Sequence, residues 1–129
     1  HLPKDLIGAF QTTLEELQDA DLLLHVVDAS SRDVDGQIQA VETTLSALAL
    51  GRTPRLLVLN KVDRLAAADV EGMARRYGAV AVSALRRDTL TALVACLARS
   101  LEARGAWGEQ DGGILDEQTI GAANSAAGA

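Results

Sequence analysis

Aromatic residues are scarce in this sequence: one Phe, one Trp and one Tyr among 129 residues, although 48% of the chain is hydrophobic. Any core must therefore be aliphatic, without the large ring contacts that dominate many interiors. There is one cysteine, Cys96, which rules out a disulfide framework and suits a reducing cytoplasm. Its expected role is that of a small hydrophobe within a helix. No apolar run approaches the roughly 18 residues that span a bilayer, and no charged-then-apolar leader opens the chain. We therefore expect no membrane partner and a cytoplasmic location. Basic residues are outnumbered, 12 against 18 acids, giving a net charge of −6 and a pI near 4.8. That balance argues against a free-standing nucleic-acid binder, whose phosphate contacts need clustered Lys and Arg. Also missing is G-x-x-x-x-G-K-[ST], the loop whose N–H groups and lysine cradle nucleotide phosphates. The first residue is His1 rather than Met, which reads as a processed or truncated piece.

What is present is organised around Arg55-Leu-Leu-Val-Leu-Asn-Lys-Val-Asp63. Leu56 to Leu59 form an unbroken aliphatic run after Pro54, the pattern of a strand buried on both faces. Asn60, Lys61 and Asp63 then fall where the strand ends, and open α/β sheets bind ligands at the carboxyl ends of their strands. The residue types fit guanine. Its Watson–Crick edge presents two adjacent N–H donors, which one carboxylate, Asp63, can accept; adenine offers no such pair. Asn60 carries an amide for guanine N7 or for a neighbouring loop, and Lys61 can lay its aliphatic stem along the base. About twenty residues on, Gly78-Ala-Val-Ala-Val-Ser-Ala-Leu85 is a second short apolar strand that ends in Ser83-Ala84-Leu85.

In chain order, Leu6, Phe10, Thr13, Leu14 and Leu17 recur at helical spacing and predict a helix over 3–20. Leu22 to Val27 predicts a strand covered on both faces, interrupted only by His25, which is expected to be a hydrogen-bonded structural histidine. Asp28 closes that strand and is expected to cap the following turn, Ala29 to Asp33, or to lie near a ligand. A helix from Val34 to Leu50, with Gly51 as its C′ residue, leads to the central strand, Arg55 to Asn60. A weaker helix, Ala66 to Tyr77, contains Gly72. A strand from Ala79 to Ser83 and a helix with Asp88 as N-cap follow; Leu90, Leu93, Val94, Leu97 and Leu101 form that helix's apolar face. The order αβαβαβα predicts an α/β fold: a three-stranded parallel sheet flanked by helices. Residues 105–129 hold six glycines, four acids and no Lys or Arg, and read as a disordered C-terminal tail; without it the body carries a net charge of −2.

Asn60-Lys61-Val62-Asp63 resembles the guanine-reading motif of GTP-binding proteins, and Ser83-Ala84-Leu85 resembles their second guanine loop. The resemblance implies that the Ala84 N–H meets guanine O6, beside Leu85, and that Ser83 steadies Asp63. Together with Leu2-Pro3, Ala9-Phe10, Thr13-Leu-Glu-Glu16 and Ala20-Asp-Leu-Leu-Leu-His-Val-Val-Asp-Ala29, the sequence is similar to the second half of the G domain of the HflX family, bacterial ribosome-associated GTPases. This covers residues 1–104. It implies a partial P-loop-NTPase-type G domain that binds GTP or GDP, with Mg²⁺ in the complete domain. It also implies a full-length relative that hydrolyses GTP on the large ribosomal subunit. Switch I is absent from this stretch. Asp33-Val-Asp-Gly36 and Asp69-Val-Glu-Gly72 match Asp-x-x-Gly only by chance, because both lie in the wrong place. No residue here is expected to be catalytic or to hold a metal, and the chain is not expected to hydrolyse GTP alone. Two other readings remain: an α/β binding or scaffold module without nucleotide function, and an inactive truncated product. Without the strand that precedes it in a G domain, Leu22–Val27 is an unpaired aliphatic edge expected to self-associate.

Overall fold

The computed structural model describes residues 12–13, 16–106 and 124. Strands and helices alternate: β1 (Leu23–Asp28), α1 (Val34–Ala47), β2 (Arg55–Asn60), α2 (Ala67–Tyr77), β3 (Val80–Ala81) and α3 (Arg87–Ala106). The sheet runs β1-β2-β3, with both pairings parallel. The α/β expectation therefore holds. Most of the helix expected over 3–20 lies outside the described residues, and its described end is a 3-10 turn, Glu16–Asp19. Of the tail expected over 105–129, only residues 105–106, which are the end of α3, and Asn124 lie within them. Among the described residues no helix is long and apolar enough to cross a membrane.

Strand β2 is the centre. Its side chains alternate between faces, as a pleated strand requires. Leu57 and Leu59 join Val27, Val34, Val62, Ala74 and Ala79 beneath α1 and α2. Leu56 and Val58 join Val80, Val82 and Cys96 beneath α3, with Leu93 and Leu97 packed alongside. Each fully buried leucine contributes about 1.5–3 kcal/mol. Cys96 is fully buried in that helix, the small-hydrophobe role expected of it.

Two expectations about burial are corrected. β1 is covered on one face, not two: Leu23, His25 and Val27 are buried, whereas Leu24 is 45% and Val26 56% exposed. The cluster beneath α3 takes in β2 and β3 side chains and none from β1. The apolar stripe of α3 is also narrower than its sequence: Leu93 and Leu97 pack inward, but Val94 is 64% and Leu101 47% exposed, and Leu90 is exposed too. The helix starts at Arg87, so Asp88 lies in its first turn and is not the N-cap.

The end of α1 differs from expectation for a packing reason. The helix stops at Ala47, and Ala49, not Gly51, takes the left-handed conformation with φ 59°. The Ala49 N–H donates to Ser46 O (3.2 Å) and the Leu50 N–H to Leu45 O (2.8 Å), a Schellman termination. Leu50 is buried against Leu45 and Leu23. Burial of Leu50 therefore sets the stop, and an alanine accepts the left-handed position although glycine would adopt it more cheaply. Helix α2 ends at Gly78, which is left-handed with φ 59°. Strand β3 is shorter than Ala79–Ser83, although the Val82 N–H still reaches Leu59 O at 2.8 Å.

His25, on β1, is buried near Glu42 of α1 and Arg55 of β2. Arg55 crosses the same region, donating from Nε to Glu42 Oε1 (2.6 Å) and from its terminal nitrogens to Glu42 and to the Gly51 and Thr53 carbonyls. Burial pushes the imidazole below its ordinary value of 6.5, nearby Glu42 opposes the shift, and Arg55 adds to it.

Two outcomes follow. A Cβ at Gly72 meets nothing within 4 Å, so Gly72→Ala should raise unfolding free energy by about 1 kcal/mol through helix propensity alone. Urea unfolding measures this, and a loss of stability would contradict the open helix face. The folded imidazole of His25 titrates below 6.5 and the unfolded one near it, so the unfolded chain takes the proton first. Stability should therefore fall as pH drops below that value, and His25→Gln should flatten the slope. Equal slopes across a pH series of unfolding midpoints would acquit His25.

Candidate functional site

The parallel register pairs Asp28 with Asn60, so both polar residues emerge together at the carboxyl end of the sheet. Beyond Asn60 the chain turns sharply. Lys61 adopts a left-handed conformation, φ 62° and ψ 31°, which is rare for a residue with a side chain and costs about 1–2 kcal/mol. The turn is held from three sides. The Lys61 N–H donates to Asn60 Oδ1 at 2.9 Å, the Ala29 N–H donates to Asn60 O at 2.9 Å, and the N–H of buried Val62 reaches across to Val82 O at 3.3 Å. A 3-10 turn, Val62–Arg64, then presents Asp63, which is exposed.

The second loop meets the first through one hydrogen bond. Ser83 Oγ donates to Asp63 Oδ1 at 2.7 Å, joining residues twenty apart in sequence. The same oxygen accepts the Leu85 N–H at 3.2 Å. Ser83 is fully buried and is fixed by Thr89 at the start of α3: the Ser83 N–H donates to Thr89 Oγ1 (3.0 Å), and that hydroxyl lies 3.1 Å from Ser83 O and 2.6 Å from Arg86 O. Ala84 and Leu85 are exposed, Leu85 at 81%. Among the described residues nothing accepts from the Ala84 N–H, and no donor reaches Asp63 Oδ2.

All six residues singled out from the sequence (Asn60, Lys61, Asp63, Ser83, Ala84 and Leu85) thus lie on two adjoining loops at one end of the sheet. Two further participants emerge. Asp28 does cap its turn, accepting the Ser30 N–H (2.9 Å) and the Ser30 hydroxyl (2.6 Å), and its other oxygen accepts Lys61 Nζ at 3.2 Å. These bonds, the Ser30 hydroxyl first, pull its carboxyl down to about 2. It is therefore ionised at neutral pH and positions the Lys61 side chain. Thr89 was not anticipated; its only sequence signal is a hydroxyl residue beside the start of a helix and six residues after Ser83. Among the described residues no group of three or more His, Cys, Asp or Glu is placed to hold a metal.

The site presents the Asp63 carboxylate and the Ala84 N–H on adjoining loops, next to a lysine stem. That arrangement is complementary to a planar group with adjacent donors and an acceptor on one edge.

No protein-family model matches the chain. Among known proteins it is similar to the GTPase HflX of Caldanaerobacter subterraneus subsp. tengcongensis, with 55% identity over 64 residues, or 50% of this chain and 15% of the relative. The GTPase HflX of Escherichia coli is 49% identical over 65 residues, again 50% and 15%. The GTPase HflX of Magnetococcus marinus is 37% identical over 101 residues, which is 78% of this chain and 23% of the relative. The chain therefore spans between 15% and 23% of the length of these curated relatives.

Proposed function

The stretch that these relatives match is HflX-family sequence, and on that premise we propose that it forms the base-reading half of a guanine-nucleotide-binding domain. The observation that carries the reading is the Asp63–Ser83 hydrogen bond at 2.7 Å. It locks two strand-end loops together while leaving an acceptor on Asp63 and a donor on Ala84 for a ligand. Asp63 would accept the two adjacent N–H groups of guanine, the Ala84 N–H would donate to its O6, and the Lys61 stem would cover one face of the ring, with Leu85 at the rim. Asn60 spends its Oδ1 on the turn and keeps its amide nitrogen for guanine N7 or the adjoining loop. Adenine reverses the donor and acceptor pattern and would leave the carboxylate without a partner.

In this reading residues 1–104 are the carboxyl half of a G domain, and residues 105–129 follow it as an extension whose Asn124 bonds to β3. The phosphates of GTP or GDP, and Mg²⁺, would be held by parts of the complete domain outside these 129 residues. Hydrolysis, contact with the large ribosomal subunit and a cytoplasmic setting belong to the whole protein. The chain by itself should bind guanine nucleotides only weakly, because charge-assisted phosphate contacts are worth roughly 1.5–3 kcal/mol each.

Competition between GTP and XTP in the complete domain tests the base-reading role. Asp63→Asn turns an acceptor into a mixed amide whose N–H₂ can donate to the C2 carbonyl of xanthine. The GTP-to-XTP preference should fall by about tenfold or more, the worth of one hydrogen bond to a charged group. An unchanged preference would show that Asp63 does not read the base.

The same reading concerns β1. In G domains a neighbouring strand covers the edge that β1 turns away from β2. Among the described residues no strand lies there, and Leu24 and Val26 stand exposed beside it. The isolated chain should self-associate through Leu22–Val27. Light scattering across a concentration series should detect this, and Leu24→Lys should reduce it with little cost to the fold, since Leu24 is already 45% exposed. A monomer at high micromolar concentration would refute it.

A further inference from the structure

The opposite end of the sheet is closed in an unusual way. β3 pairs with β2 through Val80, the partner of Val58, and the Val82 N–H reaches Leu59 O. Strand groups alternate in direction, so the Ala79 carbonyl and the Ala81 N–H face away from β2, along the outer edge. Such groups are a template for another strand. Here both are occupied by one side chain from far along the sequence. The Ala81 N–H donates to Asn124 Oδ1 at 2.9 Å, and Asn124 Nδ2 donates to Ala79 O at 2.9 Å.

The pattern is that of a parallel ladder. A residue added beside Val80 would place its N–H on the carbonyl of the preceding residue and its C=O against the N–H of the following one. The carboxamide of asparagine carries the same donor and acceptor as a peptide unit. The Asn124 amide makes both bonds, to the two residues that flank Val80 and across sequence separations of 45 and 43. Ala79 and Ala81 have only methyl side chains, which leave room for the approach.

We propose that Asn124 is a built-in edge cap: its carboxamide stands in for the peptide unit of a fourth strand on β3 and keeps that edge closed to strand addition by a second copy of this chain. The cap lies two residues before Ser83, so it also steadies the strand that carries the Ser83–Ala84–Leu85 loop. The proposal does not depend on what that loop binds.

The test uses the full chain with Leu24→Lys, which silences association at the β1 edge. In the parent, nuclear Overhauser contacts are expected between the Asn124 side-chain amide and the Ala81 N–H, and the Ala81 amide is expected to exchange slowly. Asn124→Ala should speed Ala81 exchange about tenfold, the loss of one hydrogen bond, while the amide of Val58 in the sheet centre keeps its rate. As concentration rises, Asn124→Ala should form dimers and the Ala81 amide should regain protection; the parent should not. Absence of the Overhauser contacts, or Ala81 exchange that is equally fast with and without Asn124, would overturn the cap. If Asn124→Ala stays monomeric with Ala81 unprotected at every concentration, the edge does not recruit a second copy and the proposal fails.

Discussion

The structure depends on the burial of β2 on both faces. Leu56, Val58 and Leu59 are at most 1% exposed, so neither face of this strand can be left to water. Helices must pack above and below, and alternation of strand and helix is the arrangement that supplies them for a parallel sheet. The same burial decides where polar chemistry can occur. The strand's own polar residue, Asn60, must emerge at the carboxyl end, and Asp28 emerges beside it because the register is fixed one strand over. The core therefore places the site, and its members Ala29, Val62 and Val82 fasten the site's turn through their backbones.

How much of this is legible in the sequence follows from range. The strand-end loops were legible because each is a short, contiguous run whose chemistry needs no distant partner: Asn60 to Asp63, and Ser83 to Leu85. The αβ order was legible because unbroken aliphatic runs and helical spacing are local patterns. What failed was non-local. That Leu24 and Val26 lack cover depends on where α3 lies, over β2 and β3, and no window around residues 22–27 encodes that. Ala49 ends α1 because Leu50 finds Leu23 and Leu45, a tertiary contact that outweighs the preference for glycine two residues on. The stripe on α3 was read too wide because leucine spacing marks which residues are apolar, not which of them a neighbour covers.

The two ends of the sheet are treated differently, and chemistry explains why that matters. At β1 the described chain leaves apolar side chains exposed, whereas at β3 an amide side chain satisfies the outward backbone groups. Apolar exposure near a strand edge favours association, and satisfied backbone groups discourage it. On the two proposals made above, an assembly that extends the sheet would form on the β1 side.

The site itself is organised by where rigidity is placed. Lys61 holds an unfavourable backbone conformation, which persists only because Asn60, Ala29 and Val62 fasten the turn on either side. Its ammonium lies 3.2 Å from Asp28, a carboxylate ionised well below neutral pH with the help of the Ser30 bonds, so the lysine stem lies across the strand ends. Ser83 is buried and clamped by Thr89 before it reaches Asp63. Asp63 and the Lys61 side chain are thus each positioned by a residue that would not touch a base, Ser83 and Asp28. That separation lets Asp63 and Ala84 remain exposed and open to a ligand while their geometry stays fixed, since the cost of ordering the loops is met in folding and not in binding.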